Sequence, residues 1–300
     1  MSSSSSSPLP PAAPWRDPFT THLSSLQPPI VFTLSTLHPV PHSLTPADGI
    51  PVLPRARTCV FRGFFGSLPP NNGRNPAPLN PPIYTSDMLT FTTDARTSKV
   101  SDIFDTASSP LPGPSGGGGP VEAVFWVEEA KTQWRIRGNA WVLGADIDSD
   151  GEGARKVREV LLERMRKSGE GRGEKGGDEQ EEGKKEWSFA KEVTAHFGNL
   201  SPVMRGSFKG PEPGKPMDYG RGEGEGELGG RLEDLEDEVA RRHFRVVVVV
   251  PGEVDRVDLR EETRPRRWLY TFRGEGGGEE GAKLPGGEME GGWEVTELWP

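Results

Sequence analysis

The sequence has a single cysteine, Cys59. One thiol cannot close an internal disulfide, which excludes the stapled scaffolds of small secreted domains and leads us to expect a cytoplasmic protein. Cys59 lies in an apolar run and reads as a small buried hydrophobe rather than a reactive thiol. Long hydrophobic runs are also missing. The strongest, the valine run 246–250, falls far short of the ~20 residues of a membrane-spanning helix. No basic residue precedes Arg16, so neither a secretion signal nor an Arg-rich mitochondrial leader is expected, and residues 1–13 read as a Ser/Pro tail. Net positive charge is lacking as well. With 36 Lys and Arg against 45 Asp and Glu the net charge is −9, which argues against a general nucleic-acid binder, whose surface must neutralise phosphates.

Hydrophobic residues make up only 32% of the 300 positions, whereas there are 39 glycines and 30 prolines. A good part of the chain therefore cannot offset the entropy of ordering. One domain over 14–300, with disordered inserts at 107–119, 168–186 and 217–230, fits this composition better than two domains.

The rest of the sequence is dominated by strand signals. Runs rich in β-branched and aromatic residues occur at 30–37, 57–64, 88–93, 121–128, 133–143, 244–250, 254–259, 268–272 and 293–298. Helical spacing is found at 20–26, with Asp17 as its expected cap, at 100–106, at 187–208, over Ala154, Val157, Leu161 and Met165, and over Leu232, Leu235 and Val239. About eight strands with few helices predict a mainly β fold, a β-barrel with flanking helices, rather than an alternating α/β sheet.

Two motifs mislead. Gly224, Gly226 and Gly229 satisfy a dinucleotide fingerprint, but no strand precedes them and Glu223, Glu225 and Glu227 would repel a pyrophosphate. Asp146, Asp148 and Asp150 resemble the start of a calcium loop, yet the closing glutamate position holds Val157. The five histidines show no ligand spacing, so no metal site is expected.

Cationic and hydroxyl residues remain at strand ends: Arg57 and Arg62, Thr92 and Thr93, Ser98 and Lys99, and Gln133 with Arg135. Converging in one barrel, they could neutralise and hydrogen-bond a phosphate dianion. On chemistry alone they equally describe solvated strand faces.

The segments Arg57-Thr58-Cys59-Val60-Phe61-Arg62-Gly63-Phe64, Leu89-Thr90-Phe91-Thr92-Thr93-Asp94-Ala95-Arg96-Thr97-Ser98-Lys99 and Gln133-Trp134-Arg135-Ile136-Arg137-Gly138 resemble, in order and spacing, the core of the pyridoxamine 5′-phosphate oxidase-like flavoproteins. Leu200-Ser201-Pro202-Val203-Met204-Arg205 and Pro211-Glu212-Pro213-Gly214 resemble the FMN-binding branch of that family rather than the vitamin B6 oxidase itself. The resemblance implies an FMN-binding split β-barrel and a homodimer with the flavin near its interface. It implies that Arg57, Thr58, Cys59, Val60, Phe61 and Arg62 run beside the cofactor and that Thr92 and Thr93 contact its ring or ribityl chain. Ser98 and Lys99 would hold the phosphate, and Gln133 and Arg267 would reach the flavin, Gln133 across the dimer interface. The chain departs from the oxidase at Arg62 and Ser98, where the oxidase has Lys and Arg, and Arg96 is the expected substitute for the missing charge. The oxidase's substrate set is not matched either: Arg264-Pro265-Arg266-Arg267 replaces its Arg-Leu-His. A flavin-dependent oxidoreductase with a substrate other than vitamin B6 is therefore expected, or a non-catalytic flavin-binding or interaction protein on the same barrel. No residue stands out as a catalytic acid or base.

Overall fold

The computed structural model describes residues 11–40, 51–69, 75–168, 187–216, 230–274 and 283–300. Residues 1–10, most of the inserts expected at 168–186 and 217–230, and the glycine fingerprint at 224–229 lie outside these. α1 (Arg16–Leu23) starts after Trp15 with no side-chain cap, so Asp17 sits within the first turn instead of capping it. There its charge still complements the helix dipole. β1 (Val31–Pro39) and β2 (Val52–Val60) pair antiparallel, and β3 (Tyr84–Ser86) precedes β4 (Leu89–Asp94) and α2 (Ser98–Asp105). The long hairpin β5 (Gly116–Val127) and β6 (Thr132–Leu143) leads to α3 (Glu152–Glu163), β7 (Met165–Lys167), α4 (Phe189–Gly198), α5 (Pro202–Ser207) and α6 (Glu238–His243). β8 (Phe244–Asp258), β9 (Arg266–Phe272), β10 (Glu288–Glu290) and β11 (Trp293–Leu298) complete the described chain.

Nine strands form one antiparallel sheet in the order β10-β11-β9-β8-β6-β5-β1-β2, with β4 pairing β8, and β3 and β7 form a separate ribbon. The sheet curls so that the end of β2 meets β4. Arg62 N donates to Thr90 O (2.9 Å), Thr90 N to Gly63 O (2.9 Å) and Phe65 N to Met88 O (2.9 Å). These bonds close the barrel at one end only. From Arg57 to Val60 the far edge of β2 has no strand partner among the described residues. The result is a split barrel, and the gap between β2 and β4 is its split.

Apolar residues alternate so that the sheet separates two cores. Inside lie Phe32, Leu34, Phe91, Phe125, Trp134, Val247 and Val249, with Trp15 and Phe19 of α1 against them. On the other face Val246 and Val248 meet Val157, Leu161, Val193 and Phe197 of α3 and α4. β8 therefore carries valine on both faces.

Three sequence expectations need correction. The runs 244–250 and 254–259 form one strand, since a register shift opposite Arg137 and Gly138 absorbs Pro251 and Gly252 within the ladder. Leu232 and Leu235 pack on the outer core from an irregular segment, so α6 is short. The insert at 107–119 is not loose throughout: Gly116, Gly117, Gly118 and Gly119 open β5 as buried backbone. α2 rests directly on this strip. A Cβ on Gly119 would lie 2.4 Å from Ile103 O, and one on Gly116 2.7 Å from the Phe104 ring. The glycines thus provide close helix-on-sheet approach rather than flexibility.

Candidate functional site

The split gathers ten of the residues singled out in the sequence: Arg57 to Arg62 along one wall, Thr92 and Thr93 along the other, and Ser98 and Lys99 at the start of α2. Alternation places Arg57 and Cys59 on the inner side of β2, while Thr58 is exposed. Phe61 leaves the strand to pack against Phe19, Phe64 and Phe125. Gly63 then turns with φ 97°, and a Cβ there would meet Pro69 at 2.6 Å.

Adjacent threonines of β4 point to opposite sides and each receives a cation. Lys99 Nζ donates to Thr93 Oγ1 (3.0 Å) and Arg62 Nε to Thr92 Oγ1 (3.4 Å). Neither cation has a carboxylate within ion-pair distance among the described residues. Burial lowers the pKa of both, the neighbouring thiol and carboxylates only partly offsetting this for Lys99. Part-buried cations without counter-ions are costly, a cost that a bound anion would offset. α2 adds donors. Its cap residue Thr97 makes no side-chain capping bond, and the Ser98 and Lys99 N–H groups find no acceptor among the described residues.

Arg57 behaves differently. Its guanidinium donates to Thr36 Oγ1 (2.6 Å) and to Asp102 Oδ2 (3.1 Å). Asp102, fully buried on α2, also accepts from Thr36 Oγ1 (2.5 Å) and meets His38 Nδ1 at 2.8 Å. Arg57 is thus neutralised within the protein and braces α2 against β1 and β2. Arg96 does not fill the missing charge at the turn: it holds Asp94 (2.8 Å) and the Gly210 carbonyl (2.9 Å). Cys59 is buried, and burial raises its thiol pKa.

Gln133 and Arg267 are elsewhere. They lie in one row across β6, β8 and β9, on either side of Val257. Arg267 pairs with Asp255 at 2.7 Å, and Arg135 grips the same carboxylate. Within one chain the structure does not bring this row to the split.

Sequence reasoning missed a buried polar group behind Arg62. His196 and Glu192 of α4 are both buried, with His196 Nε2 3.9 Å from Glu192 Oε1. Both His196 nitrogens lack a hydrogen-bond partner among the described residues. Burial, helped by the charge of Arg62, pushes the His196 pKa down to about 3, whereas burial raises that of Glu192 against its bonds from Asn80 and Gly66. An i,i+4 pair on an apolar helix was the only available signal.

Residues 12–144, which carry the whole split, match the model of the pyridoxamine 5′-phosphate oxidase, FMN-binding domain. Over that segment the chain is similar to the pyridoxamine 5′-phosphate oxidase-like family. Among solved structures the chain is similar to a pyridoxamine 5′-phosphate oxidase-related, FMN binding protein of Nostoc punctiforme PCC 73102. The identity is 20% and the TM-score 0.55, over 97% of this chain and 100% of that one. It is also similar to PhzG of Burkholderia lata 383 in complex with tetrahydrophenazine-1-carboxylic acid, at 14% identity and a TM-score of 0.38, over 97% of this chain and 94% of that one. No curated protein matches the chain. The family's split-barrel fold is the fold found here. Among the described residues no helix is long and apolar enough to cross a membrane, and no group of three His, Cys, Asp or Glu side chains could hold a metal ion.

Proposed function

We propose that the chain is a homodimeric FMN-dependent oxidoreductase whose split takes the flavin and whose substrate is not vitamin B6. The observation that carries this reading is the pair of cations Lys99 and Arg62, lacking carboxylate partners and flanking neighbouring threonines at an open barrel edge. The donor set suits a phosphomonoester: the Lys99 ammonium, the free N–H groups of Ser98 and Lys99, and the Thr93 hydroxyl. Thr58, Val60 and Thr92 would line the ring or ribityl chain. Bound flavin supplies a ring system that accepts a hydride. The chain's own contribution is position and electrostatics: Lys99 neutralises, α2 donates, and the Asp102–Arg57 bridge fixes the helix that presents both.

Gln133 and Arg267 support the dimer. They share a sheet face with Trp126, 45% exposed, and with the exposed Val31. A second copy would bring this row to the split of the first.

The deciding experiment is titration of the purified protein with FMN, followed by absorbance and flavin fluorescence, then exposure of the complex to nicotinamide and B6 donors. Saturable binding with reduction by a donor is expected. No binding would remove the reading, while binding without reduction by any donor would favour a non-catalytic flavin-binding or interaction protein.

A further inference from the structure

A second cluster of cations lies where α6 enters β8, with Arg245 opposite Thr93 in the β4–β8 ladder, around a cavity whose lining includes no residue of the split. A cavity of about 510 Å³ is lined there by Pro114, Ala145, Asp146, Glu236 and Glu238 and by three arginines, Arg241, Arg242 and Arg245. This volume is within the range of small-molecule sites, roughly 300–1,000 Å³. None of the three arginines forms an ion pair among the described residues. Arg245 is only 8% exposed and is held from one side, its Nη1 donating to the carbonyls of Arg242 (2.8 Å) and Phe244 (2.8 Å). Its Nε and Nη2 make no hydrogen bond among the described residues, which leaves free the guanidinium edge that binds oxyanions in a bidentate manner. Arg241 donates through Nη2 to Thr194 Oγ1 (2.8 Å) and lies over the Phe197 ring, while its buried Nη1 has no partner among the described residues. Arg242 is exposed and its side chain makes no bond among the described residues.

The acidic side chains present do not fill this role. Asp146 is committed to Ser115, accepting from Oγ (2.6 Å) and N (3.3 Å). Glu236 and Glu238 are exposed. Burial lowers the pKa of Arg241 and Arg245, carboxylates nearby only partly countering it. A buried guanidinium with an unused hydrogen-bonding edge is the arrangement that an oxyanion relieves.

We propose that this cavity binds the oxyanion head of a small metabolite, a phosphate monoester or a carboxylate, at a site separate from the split. Arg245 grips the head, and Arg241 and Arg242 close over it. Glu236 and Glu238 repel extended polyanions, so the site selects one compact anionic group.

The test is isothermal titration of the full chain, with and without FMN, using inorganic phosphate in one arm and acetate in the other. With FMN bound, one saturable site per chain is expected for at least one of the two; without FMN, phosphate also occupies the split, a further site that Lys99→Ala removes while the cavity's site stays. Saturation by phosphate assigns a phosphate ester, and saturation by acetate alone assigns a carboxylate. Arg242→Ala, on an exposed side chain, should weaken the binding by about tenfold or more, and Arg245→Gln should abolish it. Lys99→Ala should leave it unchanged whether or not flavin binds. Absence of saturation in both arms, a cavity affinity untouched by Arg242→Ala, or a cavity affinity lost with Lys99→Ala would each overturn the proposal.

Discussion

At the residue scale the split is defined by which cations lack a carboxylate partner among the described residues. Five basic side chains were expected around one phosphate, but Arg57, Arg96 and Arg135 are neutralised by Asp102, Asp94 and Asp255, leaving Lys99 and Arg62. We expect Lys99→Ala and Arg62→Ala each to weaken FMN binding by about 1.5–3 kcal/mol, the scale of a hydrogen bond to a charged group. Fluorescence titration measures it, and unchanged affinity in both variants would disprove the placement. pH sharpens the test. Burial depresses the Lys99 pKa, so its charge, and with it FMN affinity, is lost as pH rises through that lowered value. Binding the dianion favours the charged form and so takes up protons in that window. Binding enthalpy measured by calorimetry in two buffers of different ionisation enthalpy should show that uptake, and Lys99→Arg should extend binding to higher pH.

His196 offers a stability test with a definite sign. Its folded pKa is about 3 against an ordinary 6.5, so the unfolded chain binds the extra proton and stability falls as pH drops from 6.5 toward 3. Glu192, raised by burial, acts in the opposite sense, its contribution being present at low pH and lost as pH rises through its folded value. Urea midpoints across this range should flatten at the acid end in His196→Leu. An acid limb as steep as in the parent would refute the buried neutral ring.

At the element scale the sequence was legible wherever periodicity was local. The β5–β6 hairpin, β4, β11 and α3 fell close to their expected places because side-chain alternation or helical spacing is carried by neighbouring residues. Legibility failed where the reason was tertiary. Composition makes 116–119 look like linker, but the glycines are there because α2 lies against them, and the partner in that contact is outside the local window. Likewise Asp102 neutralises Arg57 from 45 residues away, and no spacing rule announces it. The glycine strip gives its own prediction. Gly119→Ala forces a Cβ against Ile103 O and Thr106 Oγ1 and should destabilise the fold by about 1–3 kcal/mol. Because α2 presents Ser98 and Lys99, FMN affinity should fall with it. A variant of normal stability and normal affinity would show that α2 does not depend on this strip.

At the scale of the whole molecule the proposed dimer makes two half-sites of one chain: the split, and the Gln133–Arg267 row on another part of the sheet. If a partner completes each split, complementation follows from geometry. Lys99→Ala and Gln133→Ala proteins, each weak alone, should regenerate about one site of normal affinity per mixed dimer. The intact split then draws Lys99 from one variant and Gln133 from the other. Flavin stoichiometry after mixing reads this directly, and a simple average of the two parents would rule out sharing.

β8 has a further consequence for how the chain reaches this state. Its valine run is apolar on both faces and becomes protected only when β4 and β6 flank it. Until then it is an uncharged, β-prone segment able to stack with its own kind. Both flanking strands precede it in sequence, so during synthesis both have already emerged when the valines do. The order of strands along the chain thereby works as a safeguard against aggregation.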